Sequence, residues 1–302
     1  MMKEFFVYWI TLYRVFLNSR LSGKDRLKSI FWLAKKRGWV KALHESFQHH
    51  HLDDVLSAHA YLYFIFKRMY VFMHKDSRQT LEATDNHELI PAIVQHYAQL
   101  ARHLPQPLIA QLNGGQIEIA NTAFAPFRSV RVYLTFIHQN RREGLTSLVL
   151  EVDGQAVYYL NFLLTEKGAL IGGVQGAKDS LELSRAFTKA TQGIPPHKYL
   201  YIAVAALMAE WSVPAVYGIR HAAHVFQGEA KTQYKLENFN YDVFWQDVLE
   251  GEVEDDDWYQ LSAPYQRKPL DDVNAKKRGK LKKRYPFMDA LEANVREFAQ
   301  NV

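Results

Sequence analysis

The spacing of apolar positions changes partway through residues 145–228, and that change organises the chain. Three β-prone runs, 145–152, 156–164 and 169–174, are separated by Asp153-Gly154 and by Glu166-Lys167-Gly168. Asp-Gly between two such runs predicts a hairpin, because both central turn residues must reach positive φ at low cost. The third run ends in Gly172-Gly173-Val174-Gln175-Gly176-Ala177, after which the period becomes helical. Leu183, Ala186, Phe187 and Ala190 then share one stripe. Gly193-Ile194-Pro195-Pro196 breaks that helix, and Pro196 suits the first turn of the next, where its missing N–H costs nothing. Residues 199–211 are apolar on nearly every face, the pattern of a buried helix. A short β-prone run, 215–219, follows and leads into Arg220-His221-Ala222-Ala223-His224. The unit therefore reads as meander, glycine loop, two helices and strand.

Upstream the spacing is helical. Phe5, Tyr8, Trp9, Leu12 and Phe16 line one face of an N-terminal helix. Its longest uncharged run, 5–13, is about half of the roughly 20 residues a membrane span needs. Arg14 and Arg20 interrupt it and no small-x-small cleavage site follows, so it does not read as a signal peptide. A helix docked on the body and an interfacial membrane helix both fit. Residues 24–104 continue the helical pattern, with Ile93, Tyr97, Leu100 and Leu104 at helical spacing. Between 106 and 142 the composition shifts to Gly114-Gly115 and β-branched residues. The predicted organisation is a helical region over 1–120 and an α/β domain over 121–302. The fold class is α+β, with a mixed, mainly antiparallel sheet flanked by helices.

Composition narrows the chemistry. The 302 residues are 48% hydrophobic and 23% charged, carry net charge +5 and include no cysteine. That excludes a disulfide framework, thiolate zinc sites and cysteine catalysis, and agrees with a reducing, cytoplasmic setting. A mildly basic chain leaves nucleic acid, anionic lipid and acyl-thioester cofactors open as partners. His49-His50-His51 with Asp53-Asp54 and nearby His44 invites a metal reading. Three consecutive histidines cannot converge from a regular helix, however, and no second spaced ligand set appears, so no metal is expected. Residues 250–257 are strongly acidic. Lys276, Lys277, Arg278, Lys280, Lys282, Lys283 and Arg284 then place seven cations in nine positions. These read either as a solvated face, paired or not with the acidic run, or as a surface for an anionic partner, a peripheral contact with the inner membrane or, less favoured, RNA. No Walker loop, nucleophile elbow or paired-carboxylate motif is present.

Several of these marks together resemble the VirK/YbjX family of Gram-negative bacteria. They are Arg142-Glu143-Gly144 before the first strand of the meander, Val174-Gln175-Gly176, residues 188–196, His224, Tyr241-Asp242 with Trp245, and the block from Lys276 to Tyr285. The resemblance covers roughly residues 90–290 and implies a link to virulence and envelope stress. The order of elements over 145–228 is also similar to the acyl-CoA N-acyltransferase (GNAT) fold. There the loop after the fourth strand holds the cofactor pyrophosphate on backbone N–H groups.

That likeness implies that Gly173, Val174, Gln175, Gly176 and Ala177 bind the phosphates of an acyl-CoA or acyl-carrier donor. The chain departs from the pattern in lacking a full Arg-x-x-Gly-x-Gly and in placing two helices before the next strand. Acyl transfer needs a base for the nucleophile and an acid for the departing thiol. His224, His221 and Tyr217 are the titratable groups nearest the predicted strand ends, and the bland alternative for each is a hydrogen bond within the core. Glu151 alternates with apolar neighbours and reads as a solvent-side residue. Two functions stay open: a cytoplasmic acyltransferase acting on an envelope component or protein, and a non-enzymatic regulator docking on anionic membrane or RNA through the basic segment.

Overall fold

The computed structural model describes residues 42, 45, 46, 49, 89–136, 143–227 and 239–302. The amphipathic segment 1–17, most of 24–88, the histidine run beyond His49, Arg142 and residues 228–238 lie outside the described residues. Helix α1, Leu89–His103, buries Ile93, Tyr97 and Leu100, with Leu104 just past its end. Pro105 precedes α2, Gln106–Gly114, which buries Ile109 and Leu112. Both helices join the core that the sheet builds.

Among the described residues, eight strands form one sheet in the order β1-β2-β3-β4-β5-β6-β8-β7. They are β1 Gln116–Phe124, β2 Phe127–Phe136, β3 Thr146–Val152, β4 Gln155–Leu164, β5 Ala169–Gly176, β6 Val216–Ile219, β7 Glu252–Val253 and β8 Trp258–Leu261. A cut near residue 120 falls inside β1. Strands β1 to β5 form an antiparallel meander, of which the turn signals predict β3 to β5. At the β3–β4 turn Asp153 and Gly154 have φ of 49° and 83°, and the Asp153 carboxylate accepts from the amides of Arg128 and Ser129. Glu151 pairs across β2 with Arg131 at 2.8 Å and is half-buried.

The connection from β5 to β6 sets up the site. Residues Gly172-Gly173 place one extra residue in β5 between the partners of Phe162 and Asn161, a β-bulge of the sort glycine permits. Strand β5 pairs in parallel with β6 only over Ala169 to Ile171. A parallel partner requires a crossover, supplied by α3, Leu181–Ala190, and α4, Pro196–Glu210. Pro196 opens α4, which is buried along most of its length, from Tyr199 to Met208. Helix α3 is less covered: Phe187 is buried, Leu183 and Ala190 are half-buried, and Ala186 is exposed.

Helix α5, Ala275–Asn301, lies against α4 and β1 and buries Met288, Leu291 and Val295. Arg296 pairs with Glu210 of α4 at 3.1 Å, and the Asn121 amide of β1 donates to Asn294. Helices lie on both sides of the sheet. Among the described residues, no helix is long and apolar enough to cross a membrane.

Candidate functional site

Strand alternation after the β5 bulge divides the glycine run between two environments. Gly173 and Gln175, two positions apart, turn to the same face, and there they meet Glu143. The Glu143 side chain is 0% exposed and accepts from Asn161 Nδ2 at 2.7 Å and from Gln175 Nε2. Asn161 Oδ1 in turn accepts from Ser147 Oγ at 2.6 Å, so polar groups from β3, β4 and β5 form one buried chain. His224 Nε2 lies 3.7 Å from Glu143 Oε1, and its ring stacks on Tyr241 at 4.7 Å between centroids. Past the bulge the Val174 amide donates to Tyr241 Oη, which fills the edge where β5 leaves β6. Burial, and next the charge of Glu143, hold the Tyr241 phenol well above its ordinary range.

Gly176 turns the other way. It sits opposite Tyr158 in the β4–β5 register, and both line a cleft of about 760 Å³ with Ala177. One bank is α3, with Leu181, Ser184, Arg185 and Lys189; the other includes Lys280 from α5. Arg185 and Lys189 are four residues apart and so share one side of α3. Gln192 and Gly193 of the α3–α4 loop, and Pro195, Pro196 and His197 at the start of α4, complete the lining. The Arg284 guanidinium donates to Gln192 O at 3.1 Å and lies where a side chain at Gly193 would stand, pinning α5 to the cleft edge. At the start of α3 the Ser180 hydroxyl donates to Ala177 O at 2.7 Å instead of capping, so the first-turn amides keep no side-chain acceptor. Such amides suit an anion.

His197 is the imidazole of this cleft. Its ring meets Phe244 edge-on at 4.9 Å, with Phe239 at 5.9 Å and Tyr158 at 5.6 Å. Burial, with a further push from Lys198, lowers its pKa to about 4. It is therefore neutral at physiological pH, and burial makes it a weaker base than a free imidazole. Lys198 donates to Val248 O at 3.1 Å and sits 4.7 Å over the Tyr265 ring; burial first, and then Arg284, bring it down to about 8.

The residues singled out in the sequence thus fall in separate places. Of the glycine run, Gly176 and Ala177 line the cleft, whereas Gly173 and Gln175 face Glu143. The Val174 and Ala177 amides are already bonded, to Tyr241 Oη and Val157 O. His224 is buried beside Glu143. His221 Nδ1 accepts from the Tyr241 amide at 3.5 Å, and the half-buried Tyr217 ring packs near Gly168. None of these three lines the cleft. Of the basic segment, Lys280 reaches it and Arg284 borders it, while Lys276, Lys277, Lys282 and Lys283 are exposed beyond it and Arg278 donates to Val273 O. His197, Tyr158, Arg185 and Lys189 were not singled out. The available signal was that a histidine directly after Pro195-Pro196 must sit in the first turn of a buried helix. Among the described residues no His/Asp/Glu cluster could hold a metal.

Buried histidines also give an acid dependence. His96 Nδ1 accepts from the Leu164 amide at 2.8 Å, Nε2 lies 3.0 Å from Thr146 Oγ1, and burial lowers its pKa to about 3. An ordinary histidine titrates near 6.5, so the unfolded chain takes up the proton first. The contribution of His96 is complete above about pH 6.5 and is lost as pH falls towards 3, by at most about 1.4 kcal/mol per pH unit. Urea unfolding at pH 7, 6 and 5 should therefore show the stability gap between the parent and His96→Gln narrowing with acid; a constant gap would contradict it.

The chain is similar to an uncharacterized protein of Haemophilus influenzae, 31% identical over 173 residues, which is 56% of this chain and 57% of that protein. It is also similar to the uncharacterized protein YbjX of Escherichia coli, 25% identical over 218 residues, 69% of this chain and 66% of YbjX. The matches thus span under two thirds of either relative. No solved structure matches. Residues 18–297 match the family described as "Protein of unknown function (DUF535)", and the chain therefore belongs to DUF535, the YbjX/VirK family.

Proposed function

We propose that the chain is an acyltransferase whose cleft receives an acyl-CoA or acyl-carrier donor. The observation that carries this reading is the cleft itself: it opens beside Gly176, sets cations on both banks and places a neutral imidazole in its wall. Its volume falls within the range of small-molecule and cofactor sites. In this reading Arg185, Lys189, Lys280 and the first-turn amides of α3 hold donor phosphate. His197 takes the proton from an acceptor amine or hydroxyl as that atom attacks the thioester carbonyl. The new C–N or C–O bond forms, the C–S bond breaks, and the thiolate leaves with the proton that His197 returns. The acceptor would be an envelope component or a protein. A thioester donor would put the reaction on the cytoplasmic side.

The test uses the tolerance of the strand at Gly176. A Cβ there would meet the Tyr158 ring at 3.4 Å, an ordinary contact, so a branched side chain projects into the cleft without forcing the backbone. Donor at a hundred times its dissociation constant should stabilise the parent by about 2.7 kcal/mol, a rise of several degrees in melting. Gly176→Val should melt like the parent without ligand and lose the shift. If neither octanoyl-CoA nor octanoyl-carrier protein moves the parent up to millimolar concentration, the acyltransferase reading fails.

A further inference from the structure

We infer that the cationic stripe along the first half of α5 is a docking surface for a small acidic carrier protein, which would deliver its acyl group on a phosphopantetheine arm into the cleft. This deepens the acyl-donor reading and rests on it.

Lys276, Lys280 and Lys283 are spaced i, i+4 and i+7, so they share one side of α5. Because Lys280, the middle of the three, lines the cleft, the stripe meets the cleft there and continues along α5 in both directions. Lys276, Lys277, Lys280, Lys282 and Lys283 are exposed, and none has an acidic partner among the described residues. Between Ala275 and Met288 there is no acidic side chain. The first two acids of α5, Asp289 and Glu292, are both held by Arg267.

This arrangement works against the helix that carries it. Cations near a helix N-terminus face the positive end of its dipole, and like charges four apart repel. Lys276, Lys277, Arg278 and Lys280 occupy four of the first six positions of α5. Intramolecular stability therefore gives no reason for the charge, whereas an acidic partner does.

The extent of the stripe favours a macromolecule. The phosphates of a free cofactor lying in the cleft could be met by Arg185, Lys189 and Lys280. Lys276 and Lys283, seven residues apart, extend about 10 Å along the helix, and Lys276, Lys277 and Lys283 lie outside the cleft lining. Among the exposed large hydrophobics, Leu181, at 62%, is the one that lines the cleft, so the described residues form no apolar edge for a bilayer. Charge complementarity over this extent, with no apolar edge among the described residues, points to an acidic protein surface.

The experiment compares the full-length parent with Lys276→Glu/Lys283→Glu, which leaves the cleft lining intact. Both would be titrated with octanoyl-loaded acyl-carrier protein, octanoyl-CoA and phosphatidylglycerol-containing vesicles. The variant should melt no lower than the parent. Its affinity for the loaded carrier protein should fall at least tenfold, and its affinity for octanoyl-CoA should change less than twofold. If the parent binds octanoyl-CoA but the variant binds the carrier protein as well as the parent does, the docking surface is overturned while the donor reading stands. If the parent binds neither donor, the donor reading itself fails. Loss of vesicle binding in the variant, with carrier-protein binding unchanged or absent, assigns the stripe to membrane and overturns the proposal.

Discussion

Glu143→Ala is expected to be among the most destabilising single substitutions in the sheet, by about 3–5 kcal/mol, the range seen when one member of a buried polar network is removed. The loss has two parts. Asn161 Nδ2 and Gln175 Nε2 lose the acceptor they share, and a buried donor left unpaired costs about 1–3 kcal/mol. The truncation also leaves a void between β3, β4 and β5, in a layer where neighbouring Ser147 and Asn161 are themselves buried. Glu143→Gln should be milder, because its amide oxygen still accepts one of the two donors. Thermal and urea unfolding of the parent, Glu143→Gln and Glu143→Ala should rank in that order, with Glu143→Ala melting roughly 10 °C below the parent for a domain of this size. A Glu143→Ala protein within about 1 kcal/mol of the parent would mean that the network adds little to the fold.

The contrast between that carboxylate and the meander around it marks how far the sequence could be read. Asp153-Gly154 announced its turn because the backbone conformation required is written in the residue types, and both residues adopt positive φ. Pro196 marked the start of α4 for a similar local reason. The burial of Glu143 has no such local cause. Between Arg142 and Gly144 it looks like a surface residue, and it turns inward because Asn161, Gln175 and Gly173 converge on it from strands that pairing alone brings together. The cleft was half legible. The glycine run drew attention to Gly176, but Gly173 and Gly176, three positions apart in a regularly paired stretch, face opposite sides, and only the β4–β5 register shows that the stretch is strand rather than loop. Lys280 belonged to a basic segment whose position against α3 depends on α5 packing across α4, a contact between residues some 90 positions apart that no local pattern encodes. The place of His197 has no local signal, because the rings that bury it, Tyr158, Phe239 and Phe244, come from three separate stretches.

Gly173 and Gly176, on opposite faces of β5, should answer substitution in opposite ways. At Gly173 an added Cβ would overlap the Glu143 carboxylate and come within 2.8 Å of Glu143 Cβ. Glu143 cannot swing aside without breaking its bonds to Asn161 and Gln175, and it is enclosed on the β5 edge by His224. Gly173→Ala should therefore destabilise by about 3 kcal/mol or more, the cost of overpacking a closed site compounded by a disturbed polar network. At Gly176 the same methyl group meets Tyr158 at 3.4 Å, with Ser180 Oγ at 3.9 Å, and faces the cleft. Gly176→Ala should leave melting within about 1 °C of the parent, since a conformationally compatible alanine gains a few tenths of a kcal/mol by restricting the unfolded chain. Differential scanning calorimetry on the two alanine variants decides the matter. Comparable melting of both would show that Glu143 yields easily, and the division of β5 into a sealed polar face and an open cleft face would then have to be abandoned.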